Sequence, residues 1–97
     1  MGFVQIIEMK TSKIDEVQQL DKEWQAATAG KRTATRALVT EDRDNPGTFL
    51  VIVEFPSYEA AQANNDLPET ADFAGKMAAL CDSQTFRNLD VVDDTKL

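Results

Sequence analysis

The chain has 97 residues, of which 10 are Lys or Arg and 17 are Asp or Glu, so its formal net charge is −7. A chain of this length is expected to fold as one domain over residues 1–97. The acidic balance argues against nucleic acid or an anionic membrane as a partner, because both require a Lys/Arg-rich face. The sequence contains no His and a single Cys, which excludes imidazole-based catalysis, an internal disulfide and a Cys-cluster zinc site.

Targeting signals are not evident in the sequence. No stretch approaches the ~18 apolar residues of a membrane span. The start of the chain is apolar, but it carries Glu8 and has neither a basic lead-in nor a small-residue cleavage site, so it is interpreted as a strand. We therefore expect a cytoplasmic protein that needs neither a metal nor a cofactor.

Hydrophobic spacing predicts four strands and two helices, the second of which is interrupted. The expected elements are a strand at 3–9, a helix from Thr11 or Ser12 to Gly30, strands at 33–40 and 49–55, a helix in two pieces at 58–65 and from about 69 to Leu80, and a strand at 86–92. With short, right-handed connections this order gives a ferredoxin-like β-α-β-β-α-β fold, in which a four-stranded antiparallel sheet carries both helices on one face.

Local signals predict how the helices begin and end. Thr11 or Ser12 is expected to cap the first helix and Gly30 to end it, and Ser57 is expected to cap the second helix. Asp66 and Glu69 have capping-box spacing around the interruption of the second helix, with a proline in the first turn of the new piece.

The third strand is apolar on both of its faces. One face carries four apolar residues and the other carries two apolar residues and a Glu: Phe49, Val51, Val53 and Phe55 against Leu50, Ile52 and Glu54. Two helices can cover only one face of the sheet, so the other face predicts a homodimer through the sheet face opposite the helices. The alternative is that β-propensity alone fills central strands with Val and Ile.

The stretch Val53-Glu-Phe-Pro-Ser-Tyr-Glu-Ala-Ala61, together with the element order and the doubly apolar sheet, resembles the dimeric α+β barrel superfamily and, within it, the antibiotic-biosynthesis-monooxygenase-like group. The segments at 41–47, 65–74 and 86–92 are similar to small actinobacterial members of that group. The resemblance implies a homodimer whose two sheets close into one barrel. It also implies a pocket in each subunit between the sheet and the helices.

The resemblance also limits the expected chemistry. The group contains cofactor-free oxygenases of aromatic polyketides, haem-degrading enzymes, signal-processing proteins and members without known activity. The haem-degrading branch relies on a His ligand, which this chain lacks.

Asn64, Asn65 and Arg36 are the candidate catalytic and anion-holding residues. An amide at a helix break over a pocket can hold a phenolate or enol oxygen, and a guanidinium can bind a carboxylate or enolate. We take Asn65 and Arg36 as catalytic candidates and Asn64 as a pocket residue. The alternatives are C-terminal capping of the first helical piece for the two amides and an ion pair at the sheet edge or dimer rim for Arg36.

The remaining pocket candidates are apolar, aromatic or amide residues on the predicted helices and strands: Trp24, Gln5, Tyr58, Asn88, Phe73 and Met77. Core packing is the alternative for the apolar and aromatic residues, and a cross-strand hydrogen bond is the alternative for the two amides. Cys81 is not expected to be a nucleophile, since the C-terminal end of a helix raises the pKa of a thiol.

Two functions are compatible with these features. The first is a cofactor-independent oxygenase that binds a small apolar or aromatic molecule between sheet and helices, desolvates it and stabilises its anion. The second is a non-catalytic dimeric ligand-binding or assembly module, because a fold does not determine a function.

Overall fold

The computed structural model describes residues 2–97. Its elements in chain order are β1 (Phe3–Lys10), α1 (Ile14–Ala27), β2 (Arg36–Glu41), β3 (Thr48–Phe55), α2 (Tyr58–Asn65), α3 (Pro68–Leu80) and β4 (Ser83–Asp90). The strands form one antiparallel sheet in the order β2-β3-β1-β4, with the helices on one face. The predicted ferredoxin-like fold is therefore confirmed, and the interrupted helix is two separate helices.

The last strand begins three residues earlier and ends two residues earlier than the sequence predicts. Its polar first residues pair with the end of β1, with Ser83 opposite Lys10. These residues have no apolar alternation, so only the long-range ladder places them in a strand. β2 likewise begins at Arg36 rather than at residue 33.

The N-terminal ends of two helices differ from their predicted caps. Lys13 precedes α1, and Thr11 instead is buried, where its hydroxyl donates to Leu80 O at 2.7 Å and accepts from Lys13 N at 3.0 Å. α3 begins after Leu67, which has no capping side chain, so the predicted capping box at Asp66 is wrong, although Pro68 does occupy the first turn. The Ser57 cap is confirmed, because its Oγ accepts from Ala60 N at 3.1 Å.

α1 ends at Ala27, three residues before the predicted glycine stop. Thr28 follows the last helical residue, is fully buried, and donates its hydroxyl to Trp24 O at 2.7 Å. Gly30 has a φ of 79°, which favours glycine, and it reverses the chain in the turn that follows. This turn carries the chain from α1 back toward the sheet.

The core lies between the helices and one face of the sheet, which we call the inner face. Its larger cluster contains two residues of the strands, two of α1 and one of α3: Met9, Phe49, Val17, Leu20 and Met77. A smaller cluster of Phe3, Phe55 and Ala61 packs α2 onto the other end of the sheet. The inner face therefore carries the odd-numbered residues of β1 and β3, as strand alternation requires.

The opposite, outer face of the sheet is apolar at its centre. The register aligns Ile6, Ile52 and Leu38 across three strands, and Leu89 on β4 is 42% exposed. The charged residues Glu8 and Glu54 lie at opposite ends of this face, opposite Leu50 and Val4 respectively, so they form no carboxylate pair. Within residues 2–97, no helix has the length and apolar character that crossing a membrane requires.

Candidate functional site

A cavity of about 380 Å³ lies between the inner face of the sheet and the helices α1 and α3. Its volume is within the range of about 300–1,000 Å³ that small-molecule sites occupy. Most of its wall is apolar, and the residues that contribute include Ile7, Val51, Val53, Phe73, Ala74, Met77 and Phe86.

The cavity exists because the helices leave the edges of the sheet uncovered. Val39 on β2 and Phe86 on β4 point to the inner face, opposite Val51 and Ile7, yet they are 44% and 53% exposed. Both residues line the cavity. The space beside the core is therefore open to a ligand rather than filled with side chains.

Trp24 forms part of the wall on the α1 side. Its indole Nε1 donates to Thr70 Oγ1 at 3.0 Å, and its ring lies 5.7 Å from the ring of Phe73 between centroids. The indole N–H, which is the one hydrogen-bond donor of this side chain, is thus already bonded to α3. Trp24 and Phe73 present aromatic surface to a ligand, which suits an aromatic or apolar molecule.

Asn64 is the buried amide of the cavity wall, with 4% of its surface exposed. Its Oδ1 accepts from Thr33 N at 3.3 Å, and Thr33 in turn donates its hydroxyl to Ala60 O. Among residues 2–97, no protein group accepts a hydrogen bond from the Asn64 amide nitrogen. Every fully buried side-chain polar atom of these residues has a partner, so this nitrogen is not fully buried. The Asn64 amide group therefore has donors that solvent or a ligand can reach.

The two residues predicted to be catalytic are placed differently from each other. Asn65 lines the cavity but is exposed, at the last residue of α2. Arg36 touches the cavity at the start of β2, while its guanidinium pairs with Glu54 at 3.7 Å on the outer face. The structure thus brings Asn65 to the cavity and directs the Arg36 charge away from it.

Gln5 lines the cavity, and Tyr58 and Asn88 do not. Gln5 Nε2 donates to Asn88 Oδ1 at 3.3 Å, which matches the alternative of a cross-strand hydrogen bond between the two amides. Tyr58 is 51% exposed, packs edge-on against Phe3 and accepts from Gln62 Nε2 at 3.1 Å. Its position at the start of α2 therefore places it at the end of the sheet, outside the cavity. Phe73 and Met77 both line the cavity.

Sequence reasoning missed Thr70, Phe86 and Arg32 as cavity residues. Phe86 shares the inner face with Ile7, a relationship that requires the register of β4 and not only its alternation. Arg32 follows the glycine turn after α1, and the turn signal at Gly30 indicates only that the chain reverses there.

The charged groups near the cavity are few. Asp21 accepts from Gln25 Nε2 at 2.7 Å, and Arg32 and Arg36 are the basic residues of the wall. No group of three or more Cys, Asp or Glu side chains within residues 2–97 is arranged to hold a metal ion. Cys81 lies outside the cavity, and burial followed by the charge of Asp82 raises its thiol pKa, the direction that the sequence predicted.

Comparisons with known proteins identify the fold. No family model matches the sequence, and no curated protein matches it. Among solved structures, SnoaB, a cofactor-independent oxygenase from Streptomyces nogalater, has a TM-score of 0.80 at 13% identity and covers 96% of this chain and 95% of its own. A candidate antibiotic biosynthesis monooxygenase from Caulobacter crescentus CB15 has a TM-score of 0.80 at 14% identity, over 95% of this chain and 91% of its own.

A conserved protein from Methanosarcina mazei Go1 has a TM-score of 0.79 at 11% identity, over 92% of this chain and 91% of its own. These similarities extend over nearly the whole length of both chains in each pair. The chain has the ferredoxin-like α+β fold of the antibiotic-biosynthesis-monooxygenase-like proteins.

Proposed function

We propose that this protein is a cofactor-independent oxygenase that binds a small aromatic or apolar molecule in the cavity between the sheet and the helices. The observation that carries this proposal is the Asn64 amide, a buried residue with free donors on the wall of an open apolar cavity. The structural similarity to a cofactor-independent oxygenase supports it at the level of the fold.

The proposed oxidation requires few catalytic side chains, because the substrate anion itself supplies the electrons. A substrate with an acidic phenol or an activated methylene forms an anion, and this anion donates electrons to oxygen. Two hydrogens leave the substrate, one oxygen atom becomes its new carbonyl, and the second leaves as water. The protein would exclude water and stabilise the substrate anion by hydrogen bonds, which is the largest contribution in many enzymes.

Asn64 is suited to that stabilising role. Its oxygen is held by Thr33 N, which fixes the orientation of the amide and leaves the nitrogen for a substrate oxygen. Asn65 and Arg36 remain catalytic candidates, but the exposure of Asn65 and the ion pair of Arg36 make them weaker ones.

The same proposal includes a homodimer through the outer face of the sheet. Ile6, Ile52 and Leu38 form an apolar centre on a face that the helices of this chain do not cover. Contiguous apolar surface of this kind marks an interaction site, and a second copy of the chain presents the same surface. A homodimeric, cytoplasmic oxygenase is the form in which we expect the protein to work.

Oxygen uptake with anthrone tests the enzymatic proposal, because its oxidation to anthraquinone consumes one oxygen molecule and releases one water. The wild-type chain should accelerate uptake above the spontaneous rate. Asn64→Asp keeps the acceptor for Thr33 N and removes the donor, so it should lower the rate about 100-fold. Asn88→Asp, outside the cavity, is the matched control: it makes the same change, keeps the acceptor for Gln5 Nε2, and should retain the wild-type rate.

Asn65→Ala and Arg36→Gln, measured alongside, should lower the rate less than Asn64→Asp does. Equal rates for the wild type and Asn64→Asp would contradict the role of Asn64. Binding of anthrone without accelerated uptake would favour the second function, a non-catalytic ligand-binding module.

A further inference from the structure

Arg32 is an exposed residue that lines the cavity, and hydrogen bonds orient its side chain. Its backbone N–H donates to Thr28 O at 3.0 Å, and its Nη1 donates to Gln25 O at 2.7 Å and to Thr28 Oγ1 at 3.3 Å. The guanidinium carbon lies 5.9 Å from the centre of the Trp24 ring. These contacts hold the charge against the aromatic wall, a favourable arrangement for a guanidinium.

Most donors of this guanidinium are unused. An arginine has five N–H donors, and only Nη1 forms a hydrogen bond within residues 2–97. No carboxylate of the described residues lies within salt-bridge distance of it, whereas Arg36 pairs with Glu54. Arg32 is therefore the cavity-lining cation whose charge is not neutralised by a neighbour.

The rest of the cavity wall does not favour an anion. The chain has a net charge of −7, which repels an anion, and the cavity is mainly apolar, so it offers an anion few hydrogen bonds apart from those of Arg32. Asp21, the carboxylate of the wall, accepts a hydrogen bond from Gln25 Nε2 and forms no ion pair with Arg32. The free donors of Arg32 thus mark the place where an anionic ligand group would lie.

We propose that Arg32 is a specificity residue that recognises an anionic substituent, a carboxylate, sulfonate or phenolate, on an aromatic ligand whose rings lie against Trp24. This inference rests on the proposed ligand-binding function of the cavity and adds the class of ligand to it. A guanidinium that binds an anion forms charge-assisted hydrogen bonds, which a neutral ligand cannot replace.

Two fluorescent probes of the same ring skeleton test the inference. 1-Anilinonaphthalene-8-sulfonate carries an anionic group, and N-phenyl-1-naphthylamine is the same molecule without it. We expect Arg32→Gln to weaken binding of the sulfonate about fivefold and to leave the neutral probe within about twofold. Arg32→Lys keeps the positive charge and should restore part of the sulfonate affinity.

Arg87→Gln is the matched control, because Arg87 lies on the outer face opposite Ile6 and would be the sensitive residue if the sulfonate bound to that face. Loss of sulfonate affinity in Arg87→Gln but not in Arg32→Gln would overturn the inference. Equal weakening of both probes by Arg32→Gln would also overturn it, since the residue would then act through packing. Failure of both probes to bind the wild type would instead refute the ligand-binding cavity itself, and the inference with it.

Discussion

The indole of Trp24 donates a hydrogen bond to Thr70 Oγ1 at 3.0 Å and so joins α1 to α3 on the wall of the cavity. We expect Thr70→Val to lower the free energy of unfolding by about 1 kcal/mol, because the partly buried indole N–H loses its acceptor while the side-chain volume is preserved. Urea unfolding monitored by the fluorescence of Trp24, the single Trp of the chain, measures this change.

Thr95→Val is the control for Thr70→Val, since Thr95 lies in the exposed tail and its hydroxyl donates to the neighbouring Asp93. Its unfolding midpoint should equal that of the wild type. A midpoint for Thr70→Val that also equals the wild type would show that the indole finds water instead and that the bond does not stabilise the helix pair.

The fold was predictable because its signals are local and repeated. The continuous apolar run of β3 and the turn signals of glycine and proline define the elements, and short, right-handed connections then leave few topologies. The position of β4 was not predictable in the same way. Ser83 pairs with Lys10 only because the ladder with β1 extends that far, and no pattern within β4 indicates it.

The candidate site was only partly predictable, because it depends on which side chains the fold brings together. Trp24 and Phe73 lie on apolar helix stripes, so their inward direction follows from helical spacing. The pairing of Arg36 with Glu54 depends on the register of β2, and the position of Arg32 depends on a turn around Gly30 that returns the side chain to α1. Such long-range geometry has no signature in a short sequence window.

The Ser57 cap of α2 can be tested beside Ser12, a predicted cap of α1 that the structure does not have. Ser57→Ala should lower the free energy of unfolding by about 1 kcal/mol, because Ala60 N loses the acceptor that the Ser57 hydroxyl provides. Ser12→Ala should leave stability unchanged, since Ser12 is exposed and α1 begins after Lys13. A large loss in Ser12→Ala would show that Ser12 does cap α1 in solution.

The proposed homodimer predicts that a charge at the centre of the outer face separates the subunits. Ile52→Glu places a carboxylate beside Ile6 and Leu38, where a dimer would bury it without a partner. Analytical ultracentrifugation should give twice the chain mass for the wild type and the chain mass for Ile52→Glu. Ala63→Glu adds the same charge on the exposed side of α2 and should remain dimeric. A monomeric wild type at micromolar concentration would contradict the dimer.

The thiol of Cys81 predicts a stability change at alkaline pH. Burial, followed by the charge of Asp82, raises its pKa above the ordinary value of 9.0. The folded chain therefore holds the thiol proton more tightly than the unfolded chain does. The resulting stabilisation is complete below the unfolded pKa and is lost as the pH rises through the folded pKa.

Comparison with Cys81→Ala isolates this contribution from the titration of other groups. The difference in free energy of unfolding between the wild type and Cys81→Ala should be constant from about pH 6 to pH 8 and should shrink as the pH rises above 9.0. The rate of alkylation by iodoacetamide should have its midpoint above 9.0 in the wild type. Asp82→Asn removes the second cause of the shift, so its midpoint should be lower than that of the wild type. An alkylation midpoint at or below 9.0 in the wild type would show that the thiol is neither desolvated nor opposed by Asp82.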